Sequence, residues 1–505
     1  MGRGGGHQYC GTSCDNDALI LSMDHFNQLE KKEVNLKDVT GPDGKPHTVT
    51  NEFRVGTGIL LSKLATWFNK GGDENAEAAL GSNEHFGVTV PHGECPYVGI
   101  GGHSQTGGVG HIARNFGYCI DYVYGFTIVT ADGRIRSVNR DSPEQDDKDL
   151  YWAVLGGSPG AFGVTTELVF HPILDEDYPH STGWDANVLY TPERMKACLD
   201  ILEDFINRAQ EEDDNALAEG LDLMMTLSSK PDNLPFPIPV PLPSVILFEL
   251  ECRDTTDPKA RRQMEEIIQK FKETVSERSP LGVGRHLNGE SHYKLSELSK
   301  KFTRKPPSVT STGRENKRAY NKAAYGSKDK LAPGWSEAYA KLLDEVVKTK
   351  ADVHCIFQVV VGGGAATRNG KADLNAMSHR DAHLHALVFD LFRGDDDASI
   401  EAAANFQKSF EMNVVNKHMT AHPKVMAQWA SHGDLDMDKK QVWEKYIDNE
   451  DKYNKLRRIK KAVDPDDVFR ARFTIRPEVK AEAEEKVKAE AEEKVKAEAE
   501  AEVKA

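Results

Sequence analysis

Six glycines fall within twelve positions in Gly99-Ile100-Gly101-Gly102-His103-Ser104-Gln105-Thr106-Gly107-Gly108-Val109-Gly110. Such density lets backbone N–H groups approach a phosphate and adopt positive φ with no Cβ in the way. The surrounding residues exclude two common phosphate loops. No Gly-Lys-Ser/Thr follows, which removes a Walker-type loop. Gly108-Val109-Gly110-His111-Ile112-Ala113 fits a loose dinucleotide pattern, but no apolar strand precedes it and Gly117 interrupts the helix that should follow. A second glycine loop, Arg3-Gly4-Gly5-Gly6-His7-Gln8-Tyr9, opens the chain. A third, from Gly156 to Thr165, follows Asp149-Leu150-Tyr151-Trp152-Ala153-Val154 directly. Three such loops in one region argue for one extended, phosphate-bearing ligand.

Other reactive groups are less organised. Seven cysteines (Cys10, Cys14, Cys95, Cys119, Cys198, Cys252, Cys355) are too dilute for a disulfide framework, and none forms a CxxC pair. His383 and His385 share a strand face, yet two ligands without a third make no metal site, so no metal is expected. His379-Arg380-Asp381 looks like a kinase catalytic loop, but the position five beyond Asp381 is Ala386, not Asn.

The elements that must position these residues divide the chain. Residues 1–173 are glycine-rich, with short strand-like runs such as Ala18 to Leu21 and Tyr124 to Val129. A hairpin turn at Ala131-Asp132-Gly133 leads into a strand from Arg134 to Val138. Residues 174–440 carry mixed-sheet signals: a helix from Arg194 to Arg208 and strands at Leu221 to Leu227, Val245 to Cys252, Ala351 to Val361 and His383 to Phe392. Prolines at 231, 235, 237, 239, 241 and 243 force polyproline-like extension between two of those strands. Residues 441–477 read as a helix from Gln441 to Ala462 stopped by Val463-Asp464-Pro465. Residues 478–505 repeat VKAEAEEK with period eight, so the valines drift round a helix and build no seam; a solitary charged helix or disorder is expected.

A net charge of −16 and a pI of about 5.6 disfavour nucleic acid or anionic lipid as partners. Lys300, Lys301, Arg304 and Lys305 read as a solvated loop. No stretch approaches the ~20 apolar residues of a membrane span, and no signal peptide begins at Met1. A monomer acting on a small molecule is expected, extracellular if a preceding segment carries a signal.

The motifs together resemble a known family. Gly5-Gly6-His7-Gln8-Tyr9, then Gly93-Glu94-Cys95-Pro96-Tyr97-Val98-Gly99-Ile100-Gly101-Gly102, then Asp149 to Gly157 are similar, in order and spacing, to the FAD-linked oxidases of the berberine-bridge-enzyme and oligosaccharide-oxidase group, especially fungal members. Tyr453 to Phe469 resembles the segment that closes that fold. The resemblance implies an α+β architecture. A PCMH-type FAD-binding domain (1–173), written without the N-terminal lobe that usually precedes the Gly-Gly-His loop, would join a substrate domain (174–440) with a mixed or antiparallel sheet flanked by helices. Residues 441–477 would return to the FAD domain.

It also implies residue roles. His7 would bond to the flavin 8α-methyl and Cys95 to flavin C6, making FAD bicovalent. Gly4, Gly5, Gly6, Gly101, Gly102, Gly107, Gly108, Gly110, Gly157 and Gly163 would line the cofactor. Tyr9 would handle the substrate proton, with Tyr453 and Gln358 as further catalytic candidates and Tyr446 a weaker one. The implied reaction is hydride transfer from an alcohol, hemiacetal or amine carbon of a carbohydrate or secondary metabolite to flavin N5, with O2 as acceptor and H2O2 as product. There are departures. Lys452 stands where Asn is common, and Val360 stands two residues after Gln358 where sugar oxidases carry an acid. Arg380 would be scaffold and His379 a rim residue. The competing expectation is a catalytically inactive homologue acting as a binding protein; a nicotinamide-dependent dehydrogenase is weakened by the failed dinucleotide context.

Overall fold

The computed structural model describes residues 2–7, 19–69, 86–229, 245–276, 294–302, 318–321, 324–327, 330–381, 384–419, 427–428, 446–470 and 475–478. Tyr9, His383, the proline-rich stretch 231–243 and the repeat 479–505 lie outside the described residues.

The first layer is a hairpin-built sheet. Strands β1 (Gly2–Arg3) and β2 (Leu21–Ser22) form a short parallel pair. The expected strand from Ala18 is thus confined to its end, with Leu19 and Ile20 exposed. β3 (Leu29–Thr40) and β4 (Pro46–Gly56) form a long hairpin about Asp43-Gly44, where Gly44 takes φ 79° and Asp43 Oδ1 accepts from Lys45 N at 3.0 Å. After the short β5 (Val88–Thr89) come β6 (Val123–Val129) and β7 (Ile135–Asn139), joined by the Asp132-Gly133 turn, then β8 (Val164–Phe170) and β9 (Ile173–Leu174). The sheet order is β3-β4-β8-β6-β7, antiparallel throughout, with Phe53, Val55, Phe126 and Phe170 buried on its inner face.

The second layer is larger. It comprises β10 (Thr182–Leu189), β11 (Leu221–Ser228), β12 (Val245–Cys252), β13 (Arg318–Asn321), β14 (Ala324–Ser327), β15 (Val353–Val361), β16 (Leu384–Arg393) and β17 (Ala427–Gln428). Their order is β10-β12-β11-β15-β16-β14-β17, with β13 also on β16. Within this sheet every pairing among the described residues is antiparallel, which selects between the mixed and antiparallel alternatives. The helix Pro192–Arg208 starts two residues before its expected position because Thr191 caps it, accepting from Arg194 N, and Pro192 suits the first turn.

Strand alternation decides which residues meet the first layer. Leu221, Leu223, Met225 and Leu227 of β11, Ile246, Phe248 and Leu250 of β12, and Cys355, Phe357 and Val359 of β15 pack under helices Pro192–Arg208, Pro258–Phe271 and Trp335–Lys348. Their neighbours Asp222, Met224, Thr226, Glu249, Glu251, Gln358 and Val360 therefore face the other way, and Met224 and Val360 join the core of the first layer. Both faces of β11 are consequently buried.

Two polar anchors join the layers, and a third fastens the closing helix to the first. The Arg380 guanidinium donates from Nη1 to Asp121 Oδ2 at 3.1 Å and from Nη2 to Asp121 Oδ1. Asp222 accepts from the backbone N–H groups of Arg114 and Asn115 at 2.9 and 2.8 Å, while Glu251 and Glu249 flank His111 Nδ1 at 3.7 and 3.8 Å. Lys460, on the closing helix Glu450–Val463, reaches Asp464 Oδ2, Ala161 O and Phe469 O at 2.5, 2.6 and 2.9 Å. That helix is bounded by the Asn449 cap and Asp464-Pro465; residues 441–445 of the expected span lie outside the described set.

Removing one partner of a buried ion pair leaves the other charge uncompensated, at a cost of about 3–5 kcal/mol. Arg380→Ala should therefore lower stability by about that amount in denaturant unfolding; a loss under about 1 kcal/mol would show that the Asp121 contacts carry no such weight.

The Asp222 carboxyl is pushed up to about 6 by burial, and Glu251 is raised by burial and then by the Asp222 and Glu249 charges. An acid whose folded value exceeds its unfolded value of 3.8 stabilises the fold at low pH, and that contribution is lost as pH rises through about 6. The stability of the native chain relative to Asp222→Asn should thus decline between pH 4 and 7, by on the order of 3 kcal/mol. Unfolding followed at both pH values checks this; a constant difference contradicts it.

Candidate functional site

Two of the three glycine loops meet backbone to backbone. A Cβ on Gly5 would stand 2.5 Å from Gly99 N and 2.6 Å from Tyr97 O, and one on Gly99 would stand 2.4 Å from Gly5 N. Only glycine permits that approach. Gly4 lies 3.2 Å from Thr57 O by the same measure, and Gly6 turns the chain at φ 62° so that His7 follows. The consequence is a contact between residues 88 apart in sequence: His7 Nε2 lies 3.2 Å from Cys95 Sγ. Cys95 is half-buried.

The loop bearing Cys95 is held from both sides. Gly93 N donates to His103 Nε2 at 3.2 Å. His103 sits on the short helix Ile100–Gln105, and burial, with His92 and His7 nearby, pulls its imidazole down to about 3. The ring is therefore neutral, with Nε2 the acceptor and the proton on Nδ1. Its neighbour Glu94 is buried and points across to the larger sheet, where its Oε2 accepts from Gln358 Nε2 at 2.8 Å and Thr226 Oγ1 at 3.3 Å. Glu94 was not singled out in the sequence. The available signal was a charged residue inside an otherwise small and apolar Gly-x-Cys-Pro loop.

The other candidates are distributed as follows. A Cβ on Gly102 would meet nothing within 4 Å, so this turn of the helix presents bare backbone to open space. Gly101 is backed by Thr57, Gly108 by Cys119 and Gly110 by the His92 carbonyl; Gly107 takes φ 108°. Gly157 packs on Ala153 O and Leu456, and Gly163, at φ 151°, on Val129 O. Each of these close approaches supplies a packing reason for glycine. Gln358 lies on β15 with its amide turned to Glu94 and to Thr226 Oγ1 at 3.2 Å. Tyr453 is half-buried on the closing helix, packed against the first layer's core with the Arg457 guanidinium 5.7 Å from its ring; Tyr446 packs against the same core. His379 is buried at φ 60°, not at a rim, because Arg380 beside it is drawn inward to Asp121. Val360 is buried against the first layer. Among the described residues no group of three or more His, Cys, Asp or Glu could hold a metal ion, and no helix is long and apolar enough to cross a membrane.

Residues 1–139 match the family model described as FAD binding domain, and residues 433–476 match that described as berberine and berberine like. FAD-linked oxidoreductase ZEB1 of Gibberella zeae is 33% identical over 173 residues, 34% of this chain and 26% of that protein. Berberine bridge enzyme-like 12 of Arabidopsis thaliana is 36% identical over 166 residues, 32% of this chain and 25% of that protein. The matched stretches thus span about a quarter of the length of these relatives. Among solved structures, the glucooligosaccharide oxidase of Acremonium strictum, whose FAD is 6-S-cysteinyl and 8α-N1-histidyl, aligns with TM-score 0.63 and 16% identity over 95% of this chain and 87% of that one. That likeness is one of fold. A stretch matching an FAD-binding domain at one end, a stretch matching berberine-like proteins at the other and a fold like that of the glucooligosaccharide oxidase are what this chain shares with known proteins.

Proposed function

We propose that the protein is an FAD-dependent oxidase. It would remove a hydride from an alcohol, hemiacetal or amine carbon of a carbohydrate or secondary metabolite and pass the electrons to dioxygen, giving H2O2. FAD would be held covalently through both His7 and Cys95. The observation that carries this reading is the 3.2 Å approach of His7 Nε2 to Cys95 Sγ, delivered by two interlocked glycine loops.

The residues present fit FAD. A half-buried thiol and an imidazole nitrogen stand together, as two attachment points on one ring system require. The open backbone at Gly102 would let a pyrophosphate approach. When bound, FAD supplies a hydride acceptor that dioxygen can reoxidise.

The protein's own part is to hold and orient. Two tethers would keep the cofactor aligned in an open groove, which suits bulky substrates. His103, neutral and accepting from Gly93 N–H, keeps the Cys95 loop in register without adding positive charge. Gln358, its amide fixed by Glu94, offers its carbonyl oxygen on the face of the large sheet that meets the FAD-binding layer. Tyr9 is assigned to take the substrate hydroxyl proton on its phenolic oxygen, from its position two residues after His7. Because Val360 stands where sugar oxidases carry an acid and is buried in the core, carbohydrate is only one of the substrate classes this reading admits. The relatives named as oxidases and oxidoreductases weigh against the inactive binding-protein alternative.

Purified, acid-precipitated chain should keep yellow fluorescence through a denaturing gel. His7→Ala and Cys95→Ala should each retain it and the double variant lose it. Flavin that washes out of the folded native chain would overturn both assignments.

Tyr9→Phe should slow flavin reduction by substrate by ~10²- to 10⁴-fold with flavin content unchanged, the usual range for general acid–base catalysis. Stopped-flow reduction at the native rate would remove Tyr9 from the mechanism.

A further inference from the structure

The loop that carries Cys95 and the sheet that carries Gln358 belong to different layers, and one side chain spans them. Glu94, the residue directly before Cys95, is 5% exposed. Its Oε2 accepts from Gln358 Nε2 on β15 at 2.8 Å and from Thr226 Oγ1 on β11 at 3.3 Å, and Gln358 Nε2 also donates to Thr226 Oγ1 at 3.2 Å. The three polar groups close a ring. Strand register explains why the two sheet partners converge: Thr226 stands directly opposite Gln358 in the β11–β15 ladder, so both side chains leave the same face at one point.

On the other side of Cys95's loop, Gly93 N is tied to His103 Nε2. Both residues that lead into Cys95 are thus fixed, one to the glycine helix and one to the large sheet. A backbone held at two consecutive residues has little freedom left for the third, and Cys95 Sγ is where His7 Nε2 meets it. A side-chain oxygen accepting two hydrogen bonds in a buried place holds them more firmly than in water, because little solvent competes for the donors or screens the bonds.

We propose that Glu94 is a positioning residue that couples the two halves of the site. By gripping Gln358 and Thr226 it holds the Cys95 thiol against His7, and by the same bonds it fixes the Gln358 amide on the groove floor. The flavin-facing part of this inference rests on reading Cys95 as an attachment point; the mechanical part rests on the contacts alone. An alanine at 94 would free the loop and the glutamine together. A glutamine at 94 keeps an acceptor oxygen for Gln358 Nε2 and should preserve the grip without the charge.

The test has two arms, both on the full chain. In the first, chain produced under riboflavin depletion is treated with iodoacetamide and Cys95 alkylation is followed by peptide mass spectrometry. Glu94→Ala should raise the Cys95 rate about 10-fold or more, as expected when a local anchor of this kind is lost. Glu94→Gln should stay within about threefold of the native chain. Gln358→Ala should reproduce the Glu94→Ala increase, and the double variant should exceed neither single change, since both cut the same link. A native Cys95 rate in Glu94→Ala, or additive effects in the double variant, would overturn the proposal. If Glu94→Ala does not fold, Gln358→Ala and Thr226→Val cut the same ring from the sheet side and decide the question in the same way. In the second arm, chain produced with riboflavin is digested and the fraction of flavin bonded to Cys95 is measured. That fraction should fall in Glu94→Ala and recover in Glu94→Gln; no fall in the variant counts against the proposal. Absence of Cys95-bonded flavin in the native chain would instead defeat the attachment reading, while the alkylation arm still decides the role of Glu94.

Discussion

The buried carboxylate of Asp121 is the constraint on which the arrangement of the molecule turns. It is almost wholly removed from solvent and receives Tyr118 N at 2.9 Å, Asn369 Nδ2 at 3.3 Å and the two-pronged Arg380 guanidinium. Its backbone carbonyl accepts from Arg140 Nη2 at 2.6 Å, and Arg140 reaches on to Thr40 O. One residue of the first layer thereby holds strands of its own sheet and two segments of the second. An ion pair so placed is a poor source of net stability compared with apolar packing, but it tolerates only one geometry. Gly117 follows from it: at φ 94°, a Cβ there would stand 2.5 Å from both Asn369 Nδ2 and Asp121 Oδ2.

With the layers fixed in that way, the polar residues between them acquire their meaning. The face of the large sheet turned toward the first layer carries Asp222, Thr226, Glu249, Glu251 and Gln358, each of which would be a surface residue on an isolated half-buried sheet. Here they are enclosed. Asp222 accepts from the backbone amides of Arg114 and Asn115, Glu249 and Glu251 lie 3.8 and 3.7 Å from His111 Nδ1, and Thr226 and Gln358 donate to Glu94. The site is consequently a seam, and its electrostatics belong to neither layer alone. Burial raises the Asp222 and Glu251 carboxyls and lowers the His92 and His103 imidazoles.

Much of this was legible in the chain as text. The glycine density from 99 to 110, the Gly-Gly-His and Gly-x-Cys-Pro strings and the Asp149 to Gly157 run point to one phosphate-bearing ligand, though the packing that also requires several of these glycines is not written in the pattern. The Asp132-Gly133 hairpin, the body of the helix that ends at Arg208 and the apolar runs of β11, β12 and β15 follow from local periodicity and turn chemistry, which act over a few residues. The limits of that reading are equally local. The strand expected from Ala18 shrinks to Leu21–Ser22, and the pairing of the large sheet could not be told from mixed, since period two is the same in either case.

What the sequence by itself determined is the inventory: which residues are reactive, which loops are bare, and which strands have one apolar face. The tertiary structure alone decided the distances. No pattern in the chain says that His7 and Cys95 stand 3.2 Å apart, that a glutamate beside the thiol bonds a glutamine 264 residues later, or that His379 is buried while its neighbour Arg380 fastens two layers together. The physical reason is range. Propensity, turn chemistry and alternation are set by neighbours along the chain, whereas burial of a charge and the partner that compensates it are set by whichever segment packs across the seam.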